Sequence, residues 1–277
     1  MQKNAPDFIG IGADHSGLGI IASLLSAHPQ IHKSIPATHF FSSPTFDEAK
    51  LPQYEAQMPV RQKKELVGEC SASYLSAPGV ADRIVAAYPT TKLFVIVRHP
   101  LERAIAVYES AKKTGRIAAN VSCAQYLVDH ETVQSDGFYG QHLHDFFTYY
   151  TSLQLHMIVY EDFVENPLKV IQDLFGFLEV DTQFIPKALA AYAPPPDEPK
   201  HRSRLSRLIH WCATRLKALT AKPTVPVTPP PYQLTQYFSP AELAAFSKAL
   251  QPDCAHLTNV MHRDMGVFWN ITDAGRE

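Results

Sequence analysis

The sequence predicts a three-layer α/β fold, with a central, mostly parallel sheet and helices on both faces. Three observations predict it. Residues 7–29, DFIGIGADHSGLGIIASLLSAHP, read as a strand, a glycine-bearing loop and a helix. Residues 92–97, KLFVIV, form a continuous β-branched and aromatic run, the pattern of a strand buried on both faces. Strand-like and helix-like segments alternate as far as Val180, the order that favours parallel strands joined by helical crossovers.

The first strand is the apolar run Phe8–Ile11. The loop Gly12–Gly19 follows, with glycines at 12, 17 and 19 and small polar residues between them. Ile21, Leu24 and Leu25 then recur at helical spacing, and the helix stops at His28-Pro29. Strand, loop and helix in this order aim backbone N–H groups and a helix N-terminus at an anion. Two readings of the loop stand: a phosphate cradle, or a tight turn without a ligand. A Walker A loop, G-x-x-x-x-G-K-[ST], is disfavoured. Gly12 and Gly17 have its spacing, but Leu18 and Gly19 occupy the places of the Lys and the Ser/Thr. A kinase or NTP-hydrolysing site would lack its cation and its metal ligand.

Thr38–Phe41 reads as a short strand carrying His39, flanked by loops at Pro36 and Pro44. Residues 45–66 are polar and helical or irregular. Gly68–Leu75 is strand-like, and Ala77–Tyr88 reads as a helix carrying Val80, Ile84 and Val85. After KLFVIV, Pro100 fits the first turn of a helix and Glu102 suits its positive end. Leu101, Ile105 and Tyr108 share one face of that helix. Arg98 therefore stands at the carboxyl end of a central strand, where open α/β sheets bind ligands.

Residues 113–136 read as loop around one short helix, and Gly137–Leu153 as an aromatic-rich helix. Leu155–Phe163 reads as a buried strand running into an acidic turn. Asn166–Val180 is an amphipathic helix capped by Asn166, with Pro167 at its first position. Residues 200–222 form a basic amphipathic stretch, and residues 223–231 a proline-rich connector. A last helix, Pro240–Leu250, precedes an irregular end containing Trp269.

At 277 residues with 45% apolar content, the chain suits one generous domain, read as 1–277, or two small ones. Its net charge of −2 argues against bulk binding to nucleic acid or an acidic surface. The start, MQKNAPDFIG, enters the first strand within a few residues, so no signal peptide or anchor is expected. No later segment is long and apolar enough to span a bilayer. Cys70, Cys123, Cys212 and Cys254 are widely spaced without a CxxC pair, which points to reduced thiols and a cytoplasmic location.

In order and spacing, the pieces together resemble the sulfotransferases that use 3′-phosphoadenosine 5′-phosphosulfate (PAPS), in the bacterial and heparan-sulfate-like branch. The resemblance spans roughly residues 7–269. It rests on the loop helix ending His28-Pro29, His39-Phe40-Phe41, Gly68-Glu69 with Ser73-Tyr74, and Lys92-Leu93 with Arg98-His99-Pro100, Glu102-Arg103 and Tyr108. It continues through Gly137-x-Tyr139-x-x-His142-Leu143, Tyr160-Glu161-Asp162, Asn166-Pro167 and Phe177-Leu178.

The resemblance implies a P-loop-like sulfotransferase fold in a single domain. It implies PAPS as co-substrate, no metal, and a hydroxyl or amine acceptor on a glycan or small molecule. It assigns Gly12, Asp14, His15, Ser16, Gly17, Leu18 and Gly19 to the 5′-phosphosulfate and Arg98 to the 3′-phosphate. The basic stretch falls where relatives close a loop over the nucleotide, which makes Lys200, Arg202 and Arg204 candidates for the 3′-phosphate. A solvated helix face is the alternative, chiefly from Arg207 onward.

The departures concentrate at the chemistry. The family's loop is similar to K-x-G-T-T/R; on that pattern the lysine becomes His15 and the hydroxyl residues become Leu18 and Gly19. The serine eight residues after the arginine falls at Ala106. The Lys-Glu pair before H-F-F, whose glutamate is the base, falls at Pro36-Ala37. One explanation is a degenerate relative that binds nucleotide or scaffolds. The other is a branch that performs the transfer with different residues.

Sulfuryl transfer needs a base, a cation for the leaving phosphate and donors that fix the sulfate in line. His15 is the candidate cation, since neighbouring negative charge favours an imidazolium; an exposed loop histidine is the alternative. His39 and His142 are the candidate bases, imidazole being suited to that work near neutral pH. Their alternatives are a histidine packed beside Phe40 and Phe41, and one capping an aromatic layer. Arg98 could instead pair with Glu102 or Glu161. Glu69 and Asp162 read as structural anchors. Acceptor contacts are expected from segments 42–66 and 113–136.

Overall fold

A computed structural model describes residues 5–35, 37–61, 65–192 and 232–271. Five strands form one sheet: β1 (Phe8–Gly12), β2 (Ile31–Ile35), β3 (Leu66–Cys70), β4 (Lys92–Val97) and β5 (Leu155–Val159). All pairings are parallel, in the order β2-β3-β1-β4-β5.

The apolar run of β4 is explained by burial on both faces. Leu93, Val95 and Val97 enter one core layer, and Phe94 and Ile96 enter the other, by the two-residue period of a strand. On the Phe94 side pack α1 (Leu18–Ser26) and α9 (Pro167–Phe177), through Leu24, Leu25, Ile171 and Phe175. On the Val95 side pack α3 (Val80–Ala87), α4 (Pro100–Lys113), α7 (Tyr139–Tyr149) and a long C-terminal helix, Pro240–Met261. The three layers are those the alternating sequence predicts.

Several boundaries differ from the sequence expectation. The second strand is Ile31–Ile35, and His39 lies in a turn with φ 52°, so it is not a strand residue. Residues 113–136 hold two short helices, α5 (Cys123–Asp129) and α6 (Glu131–Ser135). β5 ends at Val159 and passes directly into α8 (Tyr160–Glu165). The C-terminal helix continues past Leu250 through Pro252, started by a reciprocal capping box between Ser239 and Glu242. A short helix α2 (Leu51–Glu55) lies within the polar segment before β3.

Cys70, Cys123 and Cys254 are buried free thiols. Cys212, the basic stretch and the proline-rich connector fall outside the described residues. Among the described residues, no helix is long and apolar enough to cross a membrane.

The C-terminal end docks onto the junction of β4 and α4. The carbonyl of Trp269 accepts a hydrogen bond from His99 Nε2 at 3.0 Å, and its indole N–H donates to Glu161 at 3.2 Å. Arg263 grips both oxygens of Asp162 at 2.8 and 2.7 Å, which gives Asp162 the anchoring part expected of it.

Candidate active site at the carboxyl edge of the sheet

Parallel strands deliver the loops after β1, β3 and β4 to one edge. Beyond Gly12, the Ala13 N–H donates to the Ile96 carbonyl at 2.8 Å, which continues the β1–β4 pairing into the loop. Gly17 has φ 99°, and a Cβ there would stand 3.1 Å from the Tyr160 ring, so backbone and neighbour both require glycine. The Gly17 carbonyl accepts from Ile20 and Ile21 and starts α1, which has no side-chain cap. Gly19, in the first turn, faces open space, with nothing within 4 Å of a built Cβ. The loop therefore presents uncapped helix N–H groups beside room for a ligand.

The side chains in this loop divide the work. Leu18 is buried in the α1 core, so only its backbone is available to a ligand. Ser16 is also buried; its N–H bonds the Ala13 carbonyl at 3.3 Å, while its hydroxyl has no hydrogen-bond partner among the described residues. Asp14 is exposed and accepts from the His15 N–H at 3.0 Å, and its second oxygen lies 3.0 Å from His15 Nδ1. The His15 side-chain hydrogen bond holds the Asp14 carboxyl below its ordinary range against the opposing effect of burial. His15, with a left-handed φ of 58°, thus has a carboxylate already beside it.

Arg98 sits where the strand order placed it. Its side chain is 3% exposed, and Nη2 donates to Glu102 at 2.9 Å. The guanidinium carbon lies 4.4 Å from the Tyr160 ring centre and 5.4 Å from that of Tyr232. Its Nε is buried without a hydrogen-bond partner among the described residues. The Tyr139 hydroxyl donates to the Arg98 carbonyl at 2.9 Å. Burial raises the Tyr160 phenol, and the neighbouring Arg98 charge opposes that rise.

The third part is organised by Glu69, a buried carboxylate at the end of β3. Oε1 accepts from the Tyr54 and Tyr74 hydroxyls at 2.8 Å each, and Oε2 accepts from Ser71 Oγ at 2.8 Å and Thr38 Oγ1 at 2.9 Å. Four hydroxyls thus satisfy a buried carboxylate that has no ion-pair partner among the described residues. This network fixes the turn that carries His39 and gives Glu69 the anchoring part expected of it. His39 Nδ1 lies 2.6 Å from Ser73 Oγ, which lies 2.7 Å from Ser42 Oγ, which donates to the His39 carbonyl. With one proton per hydroxyl, Ser73 donates to Ser42 and accepts from the imidazole Nδ1–H. Nε2 then keeps its lone pair.

The structure joins the loop, Arg98 and the His39 turn through shared neighbours. Tyr160 touches Gly17 and Arg98, while Leu75, just past Ser73, donates its N–H to the Ile11 carbonyl. His142 lies outside that chain of contacts. It sits on α7 beside a separate cleft, with Nε2 donating to the Ser135 carbonyl at 2.8 Å. Lys200 and Arg202 fall outside the described residues. Sequence reasoning missed Ser73, Tyr139 and Tyr160 as organisers. Their signal is positional: each follows a strand end or opens a helix at the sheet's carboxyl edge.

Residues 45–184 match the model of the Sulfotransferase family. Among curated proteins, heparan sulfate glucosamine 3-O-sulfotransferase 5 of Mus musculus is 25% identical over 191 residues, covering 65% of this chain and 55% of that protein. The bifunctional heparan sulfate N-deacetylase/N-sulfotransferase of Drosophila melanogaster is 26% identical over 205 residues, covering 63% of this chain and 20% of its own length. The chain thus spans about half the length of the first relative and a fifth of the second. A solved sulfotransferase from Alicyclobacillus acidocaldarius superposes with a TM-score of 0.70 at 22% identity, covering 96% of this chain and 99% of that one. Mouse sulfotransferase SULT7A1, complexed with PAP, superposes with a TM-score of 0.52 at 16% identity, covering 96% and 87%. Those structures share the overall fold of this chain, and with half the sequence matched to the family, this chain belongs to the sulfotransferase family.

Proposed function

We propose that the chain transfers a sulfuryl group from PAPS to a hydroxyl or amine acceptor, using one domain. The observation that carries this reading is the juxtaposition of the uncapped α1 N-terminus with Arg98, whose Nε is buried without a partner. An unsatisfied guanidinium nitrogen beside a loop with open space at Gly19 fits a phosphorylated nucleotide. When bound, PAPS supplies the sulfuryl group and the phosphate leaving group.

The remaining work falls to the chain's residues. Backbone N–H groups from Gly17 to Gly19 orient the anion, and Arg98 holds the 3′-phosphate. His15 supplies positive charge near the loop, where Asp14 keeps it in place. His39, through Nε2, takes the proton from the acceptor, with Ser73 fixing the ring. The Nε2 of His142 is committed to Ser135, and that residue belongs to acceptor contact instead.

One observation favours a second reading. His15 and Arg98 each already have a carboxylate partner, Asp14 and Glu102, as in a protein that binds nucleotide without turning it over. Calorimetric titration with PAP, followed by turnover of sulfur-labelled PAPS, separates the two. Binding that Arg98→Ala removes, together with label transfer, supports the enzyme. Binding without transfer across hydroxyl and amine acceptors supports the second reading, and absence of binding at millimolar PAP overturns both.

A further inference from the structure

The first N–H groups of a helix have no partner within it. Helix α7 starts at Tyr139, and Phe138 before it offers no side-chain cap. The cap comes from the C-terminal helix, 113 residues beyond Gly140. There Asp253, itself buried, turns its carboxylate to the first turn of α7. Oδ2 accepts the Gly140 N–H at 2.9 Å, and Oδ1 accepts the Gln141 N–H at 2.7 Å. A carboxylate at this end also suits the helix dipole.

Gly140 lets the two helices come this close. A Cβ there would stand 2.7 Å from the Asp253 carbonyl oxygen and 2.8 Å from His256 Cβ. Asp253 therefore meets a bare turn of α7 with its backbone and its side chain together.

That turn carries Tyr139. The residue is fully buried, with its ring centre 6.1 Å from that of Trp269, and its hydroxyl donates to the Arg98 carbonyl at 2.9 Å. β4 ends at Val97, so this carbonyl lies just past the sheet's ladder, and a phenol holds it in place of a neighbouring strand. The Arg98 side chain leaves the same residue towards Glu102 and Tyr160. One carboxylate thus sets the end of α7, α7 sets the tyrosine, and the tyrosine sets the backbone from which the guanidinium projects.

We infer that Asp253 is a positioning residue of the nucleotide site, aiming Arg98 through the first turn of α7 and the Tyr139 hydroxyl. This inference rests on the assignment of Arg98 to the 3′-phosphate above. Its substitution has a readable sign. Asparagine keeps the size, but its carbonyl accepts only one of the two N–H groups and its NH2 faces the other. It also removes a negative charge, which by itself would favour an anionic nucleotide. Weaker binding therefore reports a displaced Arg98 and not the lost charge.

The test is calorimetric titration of the full chain with PAP. The variants are Asp253→Asn, Tyr139→Phe, Arg98→Ala and each of the first two combined with Arg98→Ala, with urea unfolding to verify a cooperative fold. Asp253→Ser, smaller and still an acceptor, replaces Asp253→Asn should that variant not fold. Expected are PAP affinities about 3- to 10-fold weaker in Asp253→Asn and in Tyr139→Phe, with no further loss when either is added to Arg98→Ala. Unchanged or tighter PAP binding in Asp253→Asn, or the same fold-loss with and without Arg98, overturns the positioning role alone. Arg98→Ala that binds PAP as the wild type does overturns the underlying 3′-phosphate assignment.

Discussion

The Arg98 guanidinium lies over the Tyr160 ring at 4.4 Å while its Nη2 bonds Glu102 at 2.9 Å, so one face of the cation is held by an aromatic and one edge by a carboxylate. The Nε edge is buried and has no hydrogen-bond partner among the described residues. Arg98→Ala is therefore expected to weaken PAP by about 10- to 100-fold, the worth of a charged hydrogen bond. Glu102→Gln keeps the shape and removes a negative charge next to the proposed phosphate, so PAP should bind a few-fold tighter. Calorimetry on both variants reads this directly. Weaker PAP binding by Glu102→Gln would mean that the carboxylate is needed to aim Arg98.

Gly17 and Gly19 separate stability from binding. Gly17→Ala adds a Cβ 3.1 Å from the Tyr160 ring at a left-handed φ, and is expected to cost about 1–3 kcal/mol in urea unfolding. Gly19→Ala meets open space in a helical turn and should stabilise by about 0.5–1 kcal/mol. The same methyl projects where the nucleotide is proposed to sit, so PAP affinity should fall as stability rises. Unchanged affinity in Gly19→Ala would move the nucleotide away from this turn.

The hydrogen-bonded ring of His39, Ser73 and Ser42 bears on rate. His39→Ala is expected to lower kcat by about 10²- to 10⁴-fold, the usual worth of a general base. Ser73→Ala frees the imidazole to change tautomer and should lower kcat by roughly tenfold, with PAP affinity kept. His142→Ala should act on the acceptor KM instead. The reverse pattern, kcat lost with His142 and kept without His39, would exchange their roles.

Stability should depend on pH through His99. Burial lowers its pKa from the ordinary 6.5 to about 4, helped by the neighbouring Arg98 charge and opposed by its hydrogen bond to the Trp269 carbonyl. Above pH 6.5 the ring is neutral in both folded and unfolded chains and contributes no pH dependence. As pH falls from 6.5 towards 4, the unfolded chain takes up the proton first. Stability is lost over that window, to a limit of about 3 kcal/mol. His99→Asn keeps a helix cap and should flatten this limb in urea titrations at stepped pH.

The central sheet was legible where burial alone decides structure. KLFVIV at β4 and the strand–loop–helix at β1 need no distant partner to be recognised. Thr38–Phe41 was not legible, because its aromatics imitate a strand while its backbone is held by Glu69 and Ser71 from far along the chain. Arg98 could be placed from sequence, and Glu102 was among its expected partners; its stacking on Tyr160 and Tyr232 joins three distant segments and left no local trace. The last helix, read from sequence as Pro240–Leu250, runs on through Pro252 to Met261.

The clasp of Trp269 on His99 and Glu161 sets an order of events during synthesis. All five strands emerge from the ribosome long before Trp269 does, so a nascent sheet can pair while His99 and Glu161 still lack their Trp269 partner. A translational stop placed before Arg263 should therefore yield a protease-sensitive collapsed chain, because the lock on Asp162 and His99 comes last.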